Sequence, residues 1–323
     1  MSNTLLILVT ESLRFSGEAA RILRSAGELR LADLDRDSLR TQLSDVEVLW
    51  VRLRHKIDAD ILDAAPRLRI IATPTTGLNH VDTEEARRRD IRVVSLRGET
   101  DFLREVPATA EHSMALILSL LRRLPAAADH ARRGGWNRDL FCGTDLCGKT
   151  AGVIGYGRIG RMVAQRLLAF GVKVLAADPC AGSADPGVRL VPMQELLEQS
   201  DIVTLHVNLT EQTAGLIGWA EFLRMKAGAW FINTSRVELI DEDALLEALG
   251  DGRLAGAAVD VLSDENANEM AKSALIEYAE RHDNLIVTPH IGGCTRESME
   301  KTEVFLAGRV AAAIEKIQYA CAE

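Results

Sequence analysis

The pattern of apolar and polar positions divides the chain into two series of short strands alternating with helical stretches. Residues 5–9, 46–51 and 68–72 are continuous apolar runs, and residues 17–26 between the first two have helical character. Short continuous runs separated by helices read as strands buried on both faces in parallel βαβ units. An α/β sheet is therefore predicted before residue 100. Residues 107–124 change character: Met114, Leu116, Ile117, Leu118, Leu120 and Leu121 make a helix apolar nearly all round. Such a helix is expected to be buried between domains or subunits.

A second series begins after the Gly/Arg-rich loop at 132–138, with strands predicted at 150–154, 173–177, 202–205, 229–232, 257–261 and 285–287. Six strands in that rhythm predict a complete doubly wound dinucleotide fold. Residues 298–317 are helical, and the stretch beyond His290 is too short for another domain, so the chain is expected to return to the first sheet. The fold class expected is α/β with two doubly wound domains. A Rossmann domain at 104–291 is inserted into a discontinuous, flavodoxin-like substrate domain made of 1–103 and 292–323.

Composition narrows the function classes. A net charge of -9 over 323 residues argues against nucleic acid or an anionic membrane surface as partner, because both recruit proteins through positive charge. The opening apolar run has no basic segment before it and is too short to span a bilayer, so a cytoplasmic location is expected. The cysteines, at 142, 147, 180, 294 and 321, lack C-x-x-C spacing, and neither a metal site nor a disulfide framework is expected. The arginine clusters at 87–89, 122–123 and 132–133 read as solvated faces.

The chemistry begins at Gly155-Tyr156-Gly157-Arg158-Ile159-Gly160, a G-x-G-x-x-G between an apolar strand and a helical run. Gly155 permits the tight turn, Gly157 lets backbone approach a pyrophosphate, and Gly160 allows close packing of helix on strand. The helix start then offers free N–H groups to phosphate. Asp178 ends the next strand, where a carboxylate accepts hydrogen bonds from ribose hydroxyls and repels a 2′-phosphate. No arginine comes directly after it, so NAD is the expected cofactor rather than NADP. Further strand ends carry Asn233-Thr234-Ser235-Arg236, Asp260-Val261-Leu262-Ser263-Asp264-Glu265 and Thr288-Pro289-His290-Ile291-Gly292-Gly293, while His206 ends a strand near the expected cofactor site. Ligands of such sheets bind beyond the carboxyl ends of strands, so Arg236, Glu265 and His290 are expected to converge on the nicotinamide.

With these segments the chain resembles the D-2-hydroxyacid dehydrogenase family over nearly its whole length. Also matching are Thr76-Gly77-Leu78-Asn79-His80-Val81-Asp82, Ala110-Glu111-His112 and residues 209–217. The resemblance implies that Arg236 holds the substrate carboxylate and polarises the C2 oxygen. It implies that His290 is the acid/base and that Glu265 orients its imidazole. Asp260 would approach the nicotinamide, with His206, Thr234 and Gly292 beside the cofactor, and Thr76 and Gly77 would cradle the substrate carboxylate. The helix at 108–124 resembles the family's dimer-forming segment, implying a homodimer.

Among branches the nearest resemblance is to D-3-phosphoglycerate dehydrogenases, through Val51-Arg52-Leu53-Arg54 and the 288–293 segment. Arg52 and Arg54 would there contact a substrate phosphate or carboxylate. The small regulatory domain of some members is not expected in a chain of this length. Alternatives are a glyoxylate or hydroxypyruvate reductase and a non-catalytic, NAD-sensing interaction protein. Departures from the family pattern are the longer 95–109 segment without its Gly-x-Asn element, Asn266 in place of proline, and Asn208 where proline is common.

Overall fold

The computed structural model describes residues 5–263 and 273–320. It divides into two compact units, Met1–Val106 with Thr295–Glu323, and Pro107–Cys294. The first unit opens with β1 (Leu6–Val9), α1 (Gly17–Ala26), β2 (Glu28–Leu31), α2 (Arg36–Thr41), β3 (Val48–Trp50) and α3 (Ala59–Asp63). It continues through β4 (Ile70–Thr73), α4 (Thr83–Arg88), β5 (Arg92–Ser95) and α5 (Thr100–Leu103). Four of these helices start where the sequence supplies caps: Ser16, Asp35, Asp58 and Asp82 each accept a backbone N–H from the first turn. All strand pairs are parallel, in the order β2-β1-β3-β4-β5.

The second unit runs α6 (Ala108–Leu121), α7 (Leu124–Arg132), β6 (Thr150–Ile154), α8 (Arg158–Ala169), β7 (Lys173–Ala177), β8 (Val188–Leu190) and α9 (Met193–Gln199). Then come β9 (Ile202–Leu205), α10 (Trp219–Arg224), β10 (Ala229–Asn233), α11 (Glu242–Gly250), β11 (Leu254–Val259), α12 (Ala274–Arg281) and β12 (Leu285–Val287). Its sheet is seven-stranded and parallel, ordered β12-β11-β10-β9-β6-β7-β8. Both units are parallel α/β layers of the doubly wound kind. No helix among the described residues is long and apolar enough to cross a membrane.

The chain returns to the first unit as α13 (Arg296–Ala320), which packs along α1 and over β4 and β5. The alternation within each strand then explains the continuous apolar runs. In β1, Ile7 and Val9 join the core under α1 and α13, while Leu6 and Leu8 join the core on the opposite face. The 95–109 departure also finds a place within this unit up to Val106. Phe102 stacks on Phe305 at 3.9 Å, Leu103 and Val106 enter the core, and Glu99 pairs with Arg309.

Three strands, β2, β5 and β8, are not predicted by the apolar pattern. Each is an edge strand and, unlike the apolar edge strand β12, carries exposed charge, as in the exposed-to-intermediate Glu28–Leu31, so none makes a continuous apolar run. β11 starts at Leu254 and ends at Val259, earlier than the predicted 257–261, which leaves Asp260 just beyond the strand end. The apolar helix is buried as expected but ends earlier than residue 124. α6 stops at Leu121 and buries its apolar residues within its own unit, against α8, β10, β11 and β12. The surface left open is α7, which has no buried residue, and the stretch after it, where Trp136 is 95% exposed.

Candidate active site

In the second unit the predicted residues line one edge of the sheet because each comes after the carboxyl end of a strand. Gly155 follows β6, Asp178 β7, His206 β9, Thr234 and Arg236 β10, Asp260 β11, and His290 β12. The winding of the sheet reverses between β6 and β9. Across that reversal the N–H of His206 donates to the carbonyl of Ile154 at 2.7 Å. Such a switch point is where open α/β sheets bind ligands.

The glycines are required by distance. Gly155 has φ +87°, and a Cβ there would lie 2.5 Å from the carbonyl oxygen of His206. A Cβ on Gly160 would lie 2.0 Å from the carbonyl oxygen of Gly155, so α8 approaches its strand only because that residue is glycine. Gly157 is the N-cap of α8 and brings no side-chain cap, which leaves the first N–H groups of the helix for an anion. Arg158 and Ile159 are half-buried in the first turn, and Tyr156 is buried beneath it, its hydroxyl donating to Asp185 at 2.7 Å. Burial pulls the Arg158 guanidinium below its ordinary range.

Asp178 is tied to this turn. Its Oδ2 accepts the N–H of Tyr156 and its Oδ1 the N–H of Cys180, both at 2.8 Å. His206 is half-buried, yet its Nδ1 is enclosed without a partner while Nε2 meets the Thr204 hydroxyl at 2.9 Å. Burial pushes its pKa down to about 3, so the ring is neutral at pH 7. A glycine cradle, an uncapped helix start, a strand-end carboxylate and an orphaned ring nitrogen together suit a dinucleotide.

Around the last three strands the side chains brace one another. Thr234 is buried and its hydroxyl lies 2.8 Å from that of Ser113 on α6. Arg236 is half-buried, its Nη1 donating to the Ser235 carbonyl at 2.6 Å, and Asn233 secures the turn through the carbonyl of Arg236 at 2.9 Å. Asp260 is 1% exposed and accepts from the Thr288 hydroxyl at 2.6 Å, the Ile291 N–H at 2.9 Å and the Gly292 N–H at 2.7 Å. His112 Nε2 lies 3.2 Å from the same carboxylate. Burial pushes the Asp260 carboxyl up, but His112, Thr288 and the two backbone N–H groups outweigh it and hold the group below the usual carboxylate range.

His290 sits inside this clamped loop with φ +51°, a left-handed conformation that costs energy for a side chain with a Cβ. Gly292 is needed because a Cβ there would lie 2.8 Å from Asp260 Oδ2. Glu265 lies outside the described residues. His112, Ser113 and Thr288 are functional candidates that sequence reasoning missed; Ala110-Glu111-His112 marks a family match but carries no spacing that points to Asp260.

In the first unit Thr76 and Gly77 come after β4, Thr76 exposed and Gly77 half-buried, with the Gly77 carbonyl accepting from the Thr75 hydroxyl at 2.7 Å. Arg52 comes after β3, but its guanidinium is committed to Glu303 and to the Leu13 carbonyl rather than presented freely. Arg54 is likewise paired, with Asp33.

Comparison with known proteins identifies the family. Residues 114–292 match the family model described as D-isomer specific 2-hydroxyacid dehydrogenase, NAD binding domain. A hydroxypyruvate reductase of Thermotoga maritima is 35% identical over 295 residues, covering 91% of this chain and 94% of that protein. A D-3-phosphoglycerate dehydrogenase of Mycobacterium bovis is 36% identical over 312 residues, or 95% of this chain, which spans 56% of that relative's length. The crystal structure of a D-lactate dehydrogenase from Aquifex aeolicus, complexed with NAD and lactic acid, is similar with a TM-score of 0.79 and 29% identity, covering 96% of both chains. The chain belongs to the D-isomer specific 2-hydroxyacid dehydrogenase family and is built around an NAD-binding domain.

Proposed function

We propose that this chain moves a hydride between NAD and C2 of a small D-2-hydroxy or 2-keto acid, with Arg236 and His290 as its catalytic pair. The observation that carries this reading is the single sheet edge on which the glycine loop, Asp178, Arg236 and the clamped His290 loop all stand. NAD supplies or accepts the hydride. Gly155, Gly157 and the start of α8 hold its pyrophosphate, Asp178 its ribose, and His206, Thr234, Asp260 and Gly292 border its nicotinamide half. Arg236 offers a planar fork for the substrate carboxylate and C2 oxygen. His290 gives a proton to the C2 oxygen in reduction and takes it back in oxidation. Thr76 and Gly77 contribute backbone N–H groups to the substrate carboxylate.

The test is nicotinamide absorbance and fluorescence with glyoxylate, hydroxypyruvate, pyruvate and 3-phosphohydroxypyruvate, and with the corresponding hydroxy acids. Turnover of at least one acid is expected, and NADH binding without turnover on all of them refutes the reading. The chain is also proposed to act in the cytoplasm and as a homodimer joined through α7 and the stretch after it. The support for the dimer is exposed apolar area: Leu124 is 51%, Trp136 95% and Leu140 52% exposed. Light scattering is expected to give twice the chain mass, and a Trp136→Ser variant to shift toward monomer.

A further inference from the structure

In a sheet ordered β2-β1-β3-β4-β5 the winding reverses between β1 and β3, and ligands enter the crevice beyond the carboxyl ends of those strands. β1 runs out into Thr10 and Glu11, and β3 into Val51 and Arg52. A free guanidinium at that place would suit a substrate phosphate. Here all three guanidinium nitrogens of Arg52 are engaged. Nε donates to Glu303 Oε1 at 3.0 Å, Nη2 donates to the same oxygen, and Nη1 donates to the Leu13 carbonyl at 3.0 Å.

Glu303 comes from α13 and is 1% exposed, and its Oε2 accepts the N–H of Ser16 at 2.8 Å. Glu11 is 8% exposed and accepts the backbone N–H of Arg52 at 2.8 Å. Two buried carboxylates thus hold Arg52, Glu303 by its guanidinium and Glu11 by its backbone N–H, and the next cation, Arg54, is taken by Asp33. A phosphate dianion reaching Arg52 has to pull it from Glu303, which leaves a buried carboxylate unpaired beside a second negative group. An acid without a phosphate needs no such exchange.

We propose that Glu303, by holding Arg52, excludes phosphorylated acids from this crevice and restricts the enzyme to short unphosphorylated 2-hydroxy and 2-keto acids. The inference rests on the 2-hydroxy acid activity proposed above and adds specificity to it. Glu303 acts through Arg52 and is a specificity-determining residue by repulsion and sequestration, not by substrate contact.

The experiment compares kcat/KM for hydroxypyruvate and 3-phosphohydroxypyruvate with NADH, in wild type and Glu303→Gln. The glutamine keeps an acceptor for Ser16 and removes the charge. The wild type is expected to favour hydroxypyruvate by at least about 100-fold, and Glu303→Gln to narrow that ratio by about tenfold or more, through the KM of the phosphorylated acid. A wild type that prefers 3-phosphohydroxypyruvate overturns the proposal, as does a folded Glu303→Gln with an unchanged ratio. If the variant does not fold, the wild-type ratio alone decides. If no acid is turned over, the proposed function has failed separately, and thermal shift with inorganic phosphate at fixed ionic strength decides the specificity. Phosphate should then raise the Tm of Glu303→Gln but not of the wild type, and a shift in the wild type, or none in a folded variant, overturns the proposal.

Discussion

His112 Nε2 lies 3.0 Å from the Thr288 hydroxyl and 3.2 Å from the carboxylate of Asp260, which fixes its tautomer. Thr288 has one hydroxyl proton and gives it to Asp260 Oδ1 at 2.6 Å. Towards His112 the same oxygen can only accept, so Nε2 carries the hydrogen. α6 thus supplies one donor to the carboxylate that pins the loop on either side of His290, while the neighbouring Ser113 braces Thr234.

His112→Leu is therefore expected to loosen the His290 loop and lower kcat by about tenfold or more, since a hydrogen bond to a buried charge is worth about 1.5–3 kcal/mol. The Kd for NADH should change by less than threefold. His112→Gln restores an N–H near the same place and should recover most of the activity. Stopped-flow turnover and fluorescence titration separate the two effects, and equal losses in the leucine and glutamine variants would remove the donor from the argument.

Asp178 accepts the N–H of Tyr156 in the glycine turn and that of Cys180 in its own, so the ribose contact proposed for it is not its whole role. Asp178→Ala is expected to weaken NAD by about tenfold or more and NADP by less, because relief of 2′-phosphate repulsion offsets part of the loss. The ratio of the two dissociation constants should narrow. A wild type that already binds NADP better sinks this account.

How much of the fold and site was legible depended on burial. The strands β6, β7, β9 and β12 are predicted to the residue because the core of the second unit takes their side chains on both faces. The edge strands β2, β5 and β8 left no apolar run to read. Gly155, Gly160 and Asp178 were legible because their spacing reflects a local turn between consecutive elements. The pairing of His112 with Asp260 spans 148 positions, and that of Arg52 with Glu303 spans 251, so no local pattern records either. For the same reason the sequence shows Arg52 as a cation at a strand end but not the buried carboxylate that α13 brings to it.

Arg236 tests whether charge or shape matters at the end of β10. A lysine keeps the charge but loses the planar fork, so it cannot engage carboxylate and C2 oxygen together. Arg236→Lys should cost about 10–100-fold in kcat/KM, the worth of one charge-assisted hydrogen bond, with NADH binding nearly unchanged. Wild-type turnover in the lysine variant would mean that Arg236 does not hold the substrate.

His206 makes the stability of the second unit depend on pH in a definite direction. Its folded pKa is pushed to about 3 by burial, against about 6.5 in an unfolded chain. Between those values the unfolded chain binds a proton that the folded chain refuses, so stability is complete above pH 6.5 and falls as pH drops towards 3. The slope is about 1.4 kcal/mol per pH unit for one proton, or about 2 kcal/mol between pH 8 and pH 5. Asp260 adds loss of the same sign at lower pH, because its carboxyl is held below the usual range, whereas Glu11 and Glu303, pushed up by burial, contribute with the opposite sign. Only a comparison isolates the imidazole. His206→Asn does not titrate, so the difference in urea-unfolding free energy between wild type and variant should shift by about 2 kcal/mol against the wild type from pH 8 to pH 5. A difference that stays constant across that range would show that the ring takes up its proton in the folded state as readily as in the unfolded one.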